Sequence, residues 1–306
     1  MHFQIIKKRK IWYIFSGLLV AASIAALSLW GLKLGIDFTG GTLMEVHFAA
    51  NNPSIEQVQT ELAVLDLGDI TLQPAGDNNM IIRLRNVTEG EHQEILATLK
   101  NSFAQDDLPE SVKENRFETI GPSIGQELGR KAASALVISI IFIIFYIAYA
   151  FRKVSQPVAS WKFGVTAIIA LVHDVLIITG VFAVLGNFFN VEVGAMFVTA
   201  LLTILGFSVH DTIVVFDRTR ENLFSNKNRE EFGAVVNKSV NQTIWRSINT
   251  SVSTLLVLGS IYFYGGESIK YFTLALILGI LIGTYSSIFL ASPVIVDWYK
   301  LGLKKK

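Results

Sequence analysis

The chain has 306 residues, of which 51% are hydrophobic and only 17% charged, with a net charge of +1 and no cysteine. A soluble domain of this length carries about 25% charged residues, so the deficit points to lipid as the main solvent. The balanced charge leaves no electrostatic footprint for nucleic acid, and the missing cysteine excludes disulfides, thiolate metal sites and thiol nucleophiles.

A membrane-crossing helix needs roughly 20 apolar residues. Residues 1–10 are a basic N-terminus with Lys7, Lys8, Arg9 and Lys10, and residues 11–31 are the first predicted span. Its apolar run exceeds the roughly 7–15 residues of a signal-peptide core, so it reads as a permanent helix.

Residues 32–131 differ in kind, with 16 acidic against 8 basic residues. Residues 42–48 alternate apolar and polar, which predicts a strand. Residues 54–65 have helical spacing, with Pro53 before them and Ser54 as N-cap. Strands are predicted at 69–73 and 80–85 around a Gly-Asp-Asn-Asn turn at 76–79, a helix at 91–103 and a final strand at 111–120. The order β-α-β-β-α-β is that of a ferredoxin-like domain. It offers no catalytic arrangement of His or carboxylates, so a binding or mechanical role is expected rather than an enzyme's.

Residues 132–297 hold five more predicted spans, at 132–151, 163–185, 193–216, 247–264 and 271–296, before a basic tail at 298–306. Placing the N-terminus in the cytoplasm puts seventeen Lys and Arg against five acidic residues in the inner segments, while the short loop at 186–192 has no basic residue. This is the positive-inside pattern, and it predicts both termini cytoplasmic. The five tryptophans fall at span ends, where an amphipathic ring suits the headgroups. Small residues at four-residue spacing (Gly17, Ala21 and Ala25; Gly279, Gly283 and Ser287) predict faces for close helix contact. Pro293 predicts a kink, and the amphipathic stretch containing Phe232, Val235 and Val236 is expected along the inner surface.

A charge deep in a span costs about 2.5–3.5 kcal/mol on insertion scales. Only two carboxylates fall within the predicted spans, Asp174 and Asp211, each preceded by a histidine, His173 and His210. Neighbours on a helix diverge by about 100°, so neither pair can chelate a metal alone, and no metal or cofactor is expected. Ser208 and Thr212 flank Asp211, and Arg246, Asn249, Thr250 and Ser253 form a polar stripe on the fifth span. The expectation is that Asp211 and Arg246 face each other across the interior as part of a proton path. A structural Asp that only ties helices together is the plainer reading of Asp174, and a positive-inside anchor that of Arg246.

Five blocks in order then carry a resemblance. They are Leu34-Gly35-Ile36-Asp37-Phe38-Thr39-Gly40-Gly41-Thr42, Gly121-Pro122-Ser123-Ile124-Gly125-Gln126-Glu127-Leu128, His173-Asp174-Val175-Leu176, Gly206-Phe207-Ser208-Val209-His210-Asp211-Thr212 running on to Asp217-Arg218, and Thr243-Ile244-Trp245-Arg246-Ser247. On these the chain resembles the SecF family of bacterial protein-export subunits. The resemblance implies half of a resistance-nodulation-division type transporter in the inner membrane, paired with SecD. It also implies association with the SecYEG channel, YajC and YidC, and use of the proton or sodium gradient to assist late, ATP-independent translocation of unfolded polypeptide. The family's intramembrane Asp falls on Asp211 and its functional Arg on Arg246. Ser208, His210, Thr212, Thr250 and Asp174 accompany them, and Asp37, Phe38, Gly40, Gly41, Gly121 and Pro122 form the motif at the outer base. His210 departs from the pattern, standing where Asn is usual. An exporter subunit of the same superfamily and a passive membrane scaffold are the alternative readings.

Overall fold

The computed structural model describes residues 3–49, 53–76, 78–103, 111–150, 158–225 and 230–303. Expected features at Asp77, Phe151, Arg152, Lys153, Lys227, Arg229 and Lys304 to Lys306 lie outside the described residues. Along the chain run α1 (Arg9–Leu29), the short α2 (Ile36–Thr39), β1 (Gly41–Phe48), α3 (Ile55–Leu62) with a 3-10 turn (Ala63–Leu65), β2 (Thr71–Ala75), β3 (Asn79–Leu84), α4 (Glu89–Phe103) and β4 (Val112–Ile120). Then follow α5 (Pro122–Ala150), α6 (Ser160–Phe189), α7 (Ala195–Phe224), α8 (Phe232–Tyr264), α9 (Glu267–Ser286), a π turn (Ser287–Ala291) and α10 (Ser292–Leu303). Two compact units result, Leu34–Ala133 and the remainder, Met1–Lys33 with Ser134–Lys306.

In the unit Leu34–Ala133 the four strands form one sheet in the order β2-β3-β1-β4, with every neighbouring pair antiparallel. Period-two alternation buries Met44, Val46 and Phe48 of β1 and Met80, Ile82 and Leu84 of β3 on one face. Val58 and Leu62 of α3 and Ile95, Leu96 and Leu99 of α4 complete that core. Each such side chain contributes about 1.5–3 kcal/mol on full burial. The expected cap on α3 forms as a reciprocal box, Ser54 Oγ accepting from Gln57 N and Gln57 Oε1 from Ser54 N. A second box, between Thr88 and Glu91, starts α4 two residues ahead of expectation. β2 begins two residues late because Asp66 and Gly68 take left-handed backbone (φ 48° and 74°) and hold that stretch as a turn. Pro74 is tolerated because β2 is an edge strand.

In the other unit, five helical segments among the described residues are long and apolar enough to cross a membrane: α1, α5, α6, α7 and the continuous α9–α10. The expected fifth span lies inside α8, which has the length but carries Arg246, Asn249, Thr250, Ser251, Ser253 and Thr254 along its course. The expectation for Phe232–Val236 needs correction. These residues do not lie apart along a surface but form the first turns of α8, and Phe232 and Val236 pack with Ile5, Ile6, Ile295 and Val296. Four apolar side chains close at hand reward burial more than an interfacial placement would.

The small-residue faces divide. Gly279 and Gly283 of α9 are buried against Ile204 and Ser208 of α7, as expected. Gly17, Ala21 and Ala25 are exposed; the buried positions of α1 are Ser16, Ser23 and Ala26, and the glycine that lets α1 approach is Gly180 of α6. Pro293 is preceded by the π turn, with Ser292 Oγ donating to the Ser287 carbonyl at 3.0 Å. Proline supplies no N–H, and the local rewinding takes up the misfit.

Candidate functional site

Within α7 the period of 3.6 sorts polar residues to opposite sides. Thr199, Thr203 and His210 are exposed, whereas Ser208, Asp211 and Thr212 are buried. Asp211 is 3% exposed. Among the described residues its carboxylate accepts a long hydrogen bond of 3.4 Å from Thr284 of α9. Thr284 is joined in turn to Ser251 of α8 by a short hydroxyl pair. Ser247 of α8 is the other hydroxyl neighbour of Asp211; its Oγ is buried and makes no other hydrogen bond among the described residues. A lone carboxylate ringed by hydroxyls from two other helices can take a proton or a small cation with little movement of the backbone.

Asp174 contrasts with it. It is 0% exposed, and its carboxylate accepts from His173 Nδ1 at 2.9 Å, Ser208 Oγ at 2.6 Å and Ser286 Oγ at 2.8 Å. Ser208, which adjoins Asp211 in sequence, therefore serves Asp174. Thr212 likewise points elsewhere, donating to the Ser208 carbonyl at 3.1 Å and sharing a 2.8 Å hydrogen bond with Ser287.

Arg246 is not brought to Asp211. Its side chain is exposed and makes no ion pair among the described residues. It lines a polar cavity of about 480 Å³ with Ile213, Val214, Asp217, Arg218, Glu221, Gln242 and Thr243. One residue is about 100° of helix, so the turn that presents Ser247 to Asp211 carries Arg246 away. Arg218 pins this end of α7 to α8 by donating to Gln242 at 2.7 Å, and within α7 it donates to Glu221 at 2.6 Å. Thr250 is exposed and spends its hydroxyl on the Arg246 carbonyl at 2.9 Å. The expected residues thus fall into three groups: Asp211 alone, Asp174 with Ser208 and Thr212 behind it, and Arg246 with Thr250 and His210 on exposed faces. Sequence reasoning passes over Ser251, Thr284 and Ser286 and reads Ser287 only as a small contact residue, although Thr284-Tyr285-Ser286-Ser287 is a polar run inside an otherwise apolar span.

In the unit Leu34–Ala133, the two glycine motifs meet. Gly40 and Gly41 have φ of 76° and 126°. A Cβ on Gly40 would sit 2.8 Å from Pro122 Cα, one on Gly41 2.9 Å from the Leu84 carbonyl, and one on Gly125 2.8 Å from Gly40 N. Phe38 of α2 adjoins them, its carbonyl 3.1 Å from a Cβ at Gly125 and its ring 3.7 Å from a Cβ at Gly129. Asp37 occupies the first turn of α2. Nothing in the structure explains glycine at position 121. No group of three His, Asp or Glu side chains that could hold a metal ion occurs among the described residues.

These features define a multi-helix membrane protein carrying a small antiparallel-sheet domain. Residues 100–301 match the profile of the protein export membrane protein SecD/SecF, C-terminal, and residues 31–51 match the SecD/SecF GG motif. A protein translocase subunit SecF from Thermobaculum terrenum is 42% identical over 96% of this chain and 93% of its own length. One from Desulfurispirillum indicum is 37% identical over 92% of this chain and 87% of its own. The crystal structure of SecDF, a translocon-associated membrane protein from Thermus thermophilus, superposes with a TM-score of 0.84 at 30% identity and covers 98% of this chain. This chain spans 39% of that longer one. The chain belongs to the SecD/SecF family of protein export membrane proteins.

Proposed function

We propose that this chain is the SecF-type subunit of a Sec protein-export complex, a transport subunit and not an enzyme. With SecD it uses the proton or sodium motive force to assist late, ATP-independent passage of unfolded polypeptide through SecYEG, with YajC and YidC as further partners. The full-length likeness to SecF subunits supports the assignment. In this reading the chain crosses the bacterial inner membrane six times, α8 supplying the fifth crossing, with both termini cytoplasmic. The ferredoxin-like domain stands outside, where its strand order and paired helices offer a platform that holds and releases an emerging chain.

The observation that carries the ion path is Asp211, a buried carboxylate in a spanning helix that among the described residues has a long hydrogen bond from Thr284 and the Ser247 hydroxyl beside it. Arg246 joins it on movement of α8, since one helical step separates it from Ser247. His210 and Thr250 lie on exposed faces of the same two helices, where SecD completes the path. Ser208, Thr212 and Asp174 stand behind Asp211 within the bundle. One charge crossing 100 mV gains about 2.3 kcal/mol, enough to bias a helix shift.

The test is gradient-dependent completion of secretory-protein transport in membrane vesicles carrying Asp211→Asn. The expected result is loss of the gradient-dependent part with basal transport retained. Normal gradient-dependent transport would remove the ion path and leave a passive scaffold.

A further inference from the structure

We infer that Asp174 is a positioning residue for Asp211, acting through the hydroxyls at the junction of α9 and the π turn; this rests on the reading of Asp211 as the ion-binding group. The two carboxylates lie on different helices and share no hydrogen bond. What they share is one short stretch of chain. Thr284 donates to Asp211, Ser286 donates to Asp174, and Ser287 is bonded to Thr212.

The contacts differ in tolerance. The Ser286–Asp174 and Ser208–Asp174 bonds, at 2.8 Å and 2.6 Å, are short, and Asp174 has no exposure to solvent or lipid. Together they clamp α9 to α6 and α7. The Thr284–Asp211 bond, at 3.4 Å, stands at the limit of hydrogen bonding. Thr284 is two residues from Ser286, about 3 Å along the axis, so a small slide of α9 is passed on almost undiminished. A few tenths of an ångström would break the bond. The backbones are also close here: a Cβ at Gly283 would lie 3.1 Å from Ser208 Cβ, so α9 has little freedom to rock while the clamp holds. The π turn begins at Ser287, directly after the clamp, and a helix rewound by one residue has a regular register close at hand. Asp174 thus holds α9 in the register that presents Thr284 to Asp211, and releasing it withdraws that hydroxyl.

Dicyclohexylcarbodiimide, which modifies protonated carboxyl groups in apolar surroundings, tests this in native membranes by peptide mapping. In the unaltered protein, Asp211 is expected to be labelled and Asp174 protected. Ser286→Ala is expected to raise the rate of Asp211 labelling by about threefold or more, the loss of one weak hydrogen bond. Ser286→Thr, which keeps the hydroxyl, restores the rate, and Asp174→Asn guards against a folding defect peculiar to position 286. The decisive comparison is the double variant: in a Thr284→Val background, Ser286→Ala is expected to add nothing. An unchanged rate in both Ser286→Ala and Asp174→Asn, an undiminished effect in the Thr284→Val background, or labelling of Asp174 as fast as Asp211 would each overturn the inference. Loss of gradient-dependent export in Asp211→Asn alongside any of these results leaves the ion-site reading standing without the clamp. Normal export in Asp211→Asn removes that reading whatever the labelling shows.

Discussion

Replacing Gly180 by Ala should destabilise the helical bundle, whereas the same change at Gly17 should not. The two glycines belong to helices in mutual contact, α6 and α1, yet meet different surroundings. A Cβ at Gly180 would lie 2.6 Å from Ser23 Oγ and closer still to Ser23 Cβ, inside the separation that carbon atoms tolerate. Part of the obstacle is the backbone of α1, so a rotamer change at Ser23 cannot relieve it. Reaching ordinary contact requires α1 and α6 to part by about 1 Å, which forfeits a quarter to a half of the dispersion energy of neighbouring pairs. Overpacking of this kind costs about 1–3 kcal/mol, against which the better helix propensity of Ala returns up to about 1 kcal/mol. At Gly17 nothing lies within 4 Å, so only the propensity gain applies. Thermal unfolding of the intact chain in lipid nanodiscs should therefore place Gly180→Ala below the unaltered protein and Gly17→Ala at or above it. At roughly 2–4 °C per kcal/mol for a unit of this size, the two should differ by several degrees. Equal melting temperatures would refute the close α1–α6 contact as a source of stability. A lower value for Gly17→Ala alone would reverse the assignment of the packed face.

In the sheet unit, Leu99→Ala should cost about 2–5 kcal/mol, because Leu99 is fully buried between α4 and the sheet; loss of amide-exchange protection in β1 and β3 reads it. The Arg85 guanidinium, with help from Thr88, pulls the Glu91 carboxyl from its usual value near 4.5 down to about 2. A carboxyl lowered on folding adds stability above its unfolded value and loses it as pH falls toward the folded one. The contribution should therefore fade between about pH 4.5 and pH 2, and Glu91→Gln should flatten that part of the stability profile. A titration of the Glu91 side-chain carbon by NMR with a midpoint near 4.5 would contradict it.

Legibility in the sequence followed the range of the interaction. Period-two alternation located β1 and β3 to within a residue, because burial on one face is written into adjacent positions. Ser54 announced its helix because a cap reaches only three residues. The start of β2 was missed because left-handed backbone at Asp66 is not a property of the residues to either side. The length of α8 was missed because the partners that bury Phe232 and Val236 lie at the two ends of the chain, at Ile5 and Ile6 and at Ile295 and Val296. The site behaved the same way. Two carboxylates in apolar spans stand out from composition alone, but a hydroxyl from 73 or 112 positions away cannot be assigned to either without the fold.

The difference between the two carboxylates follows from that assignment. Placing a charged Asp deep in a span costs about 2.5–3.5 kcal/mol on insertion scales. Hydrogen bonds to a charged group return about 1.5–3 kcal/mol each, so the three that Asp174 accepts offset much of its cost from within the chain. Among the described residues Asp211 has only the long 3.4 Å bond from Thr284 and the neighbouring Ser247 hydroxyl, which offset less. Asp211 therefore carries an electrostatic demand that the helices around it leave unmet. In the proposed function a proton, a small cation or a group from a partner chain would meet it, and exchange among these is what an ion path requires. Asp174, held by three short hydrogen bonds, has less to gain from such an exchange. The carboxylate with the poorer set of partners is for this reason the better ion-path candidate.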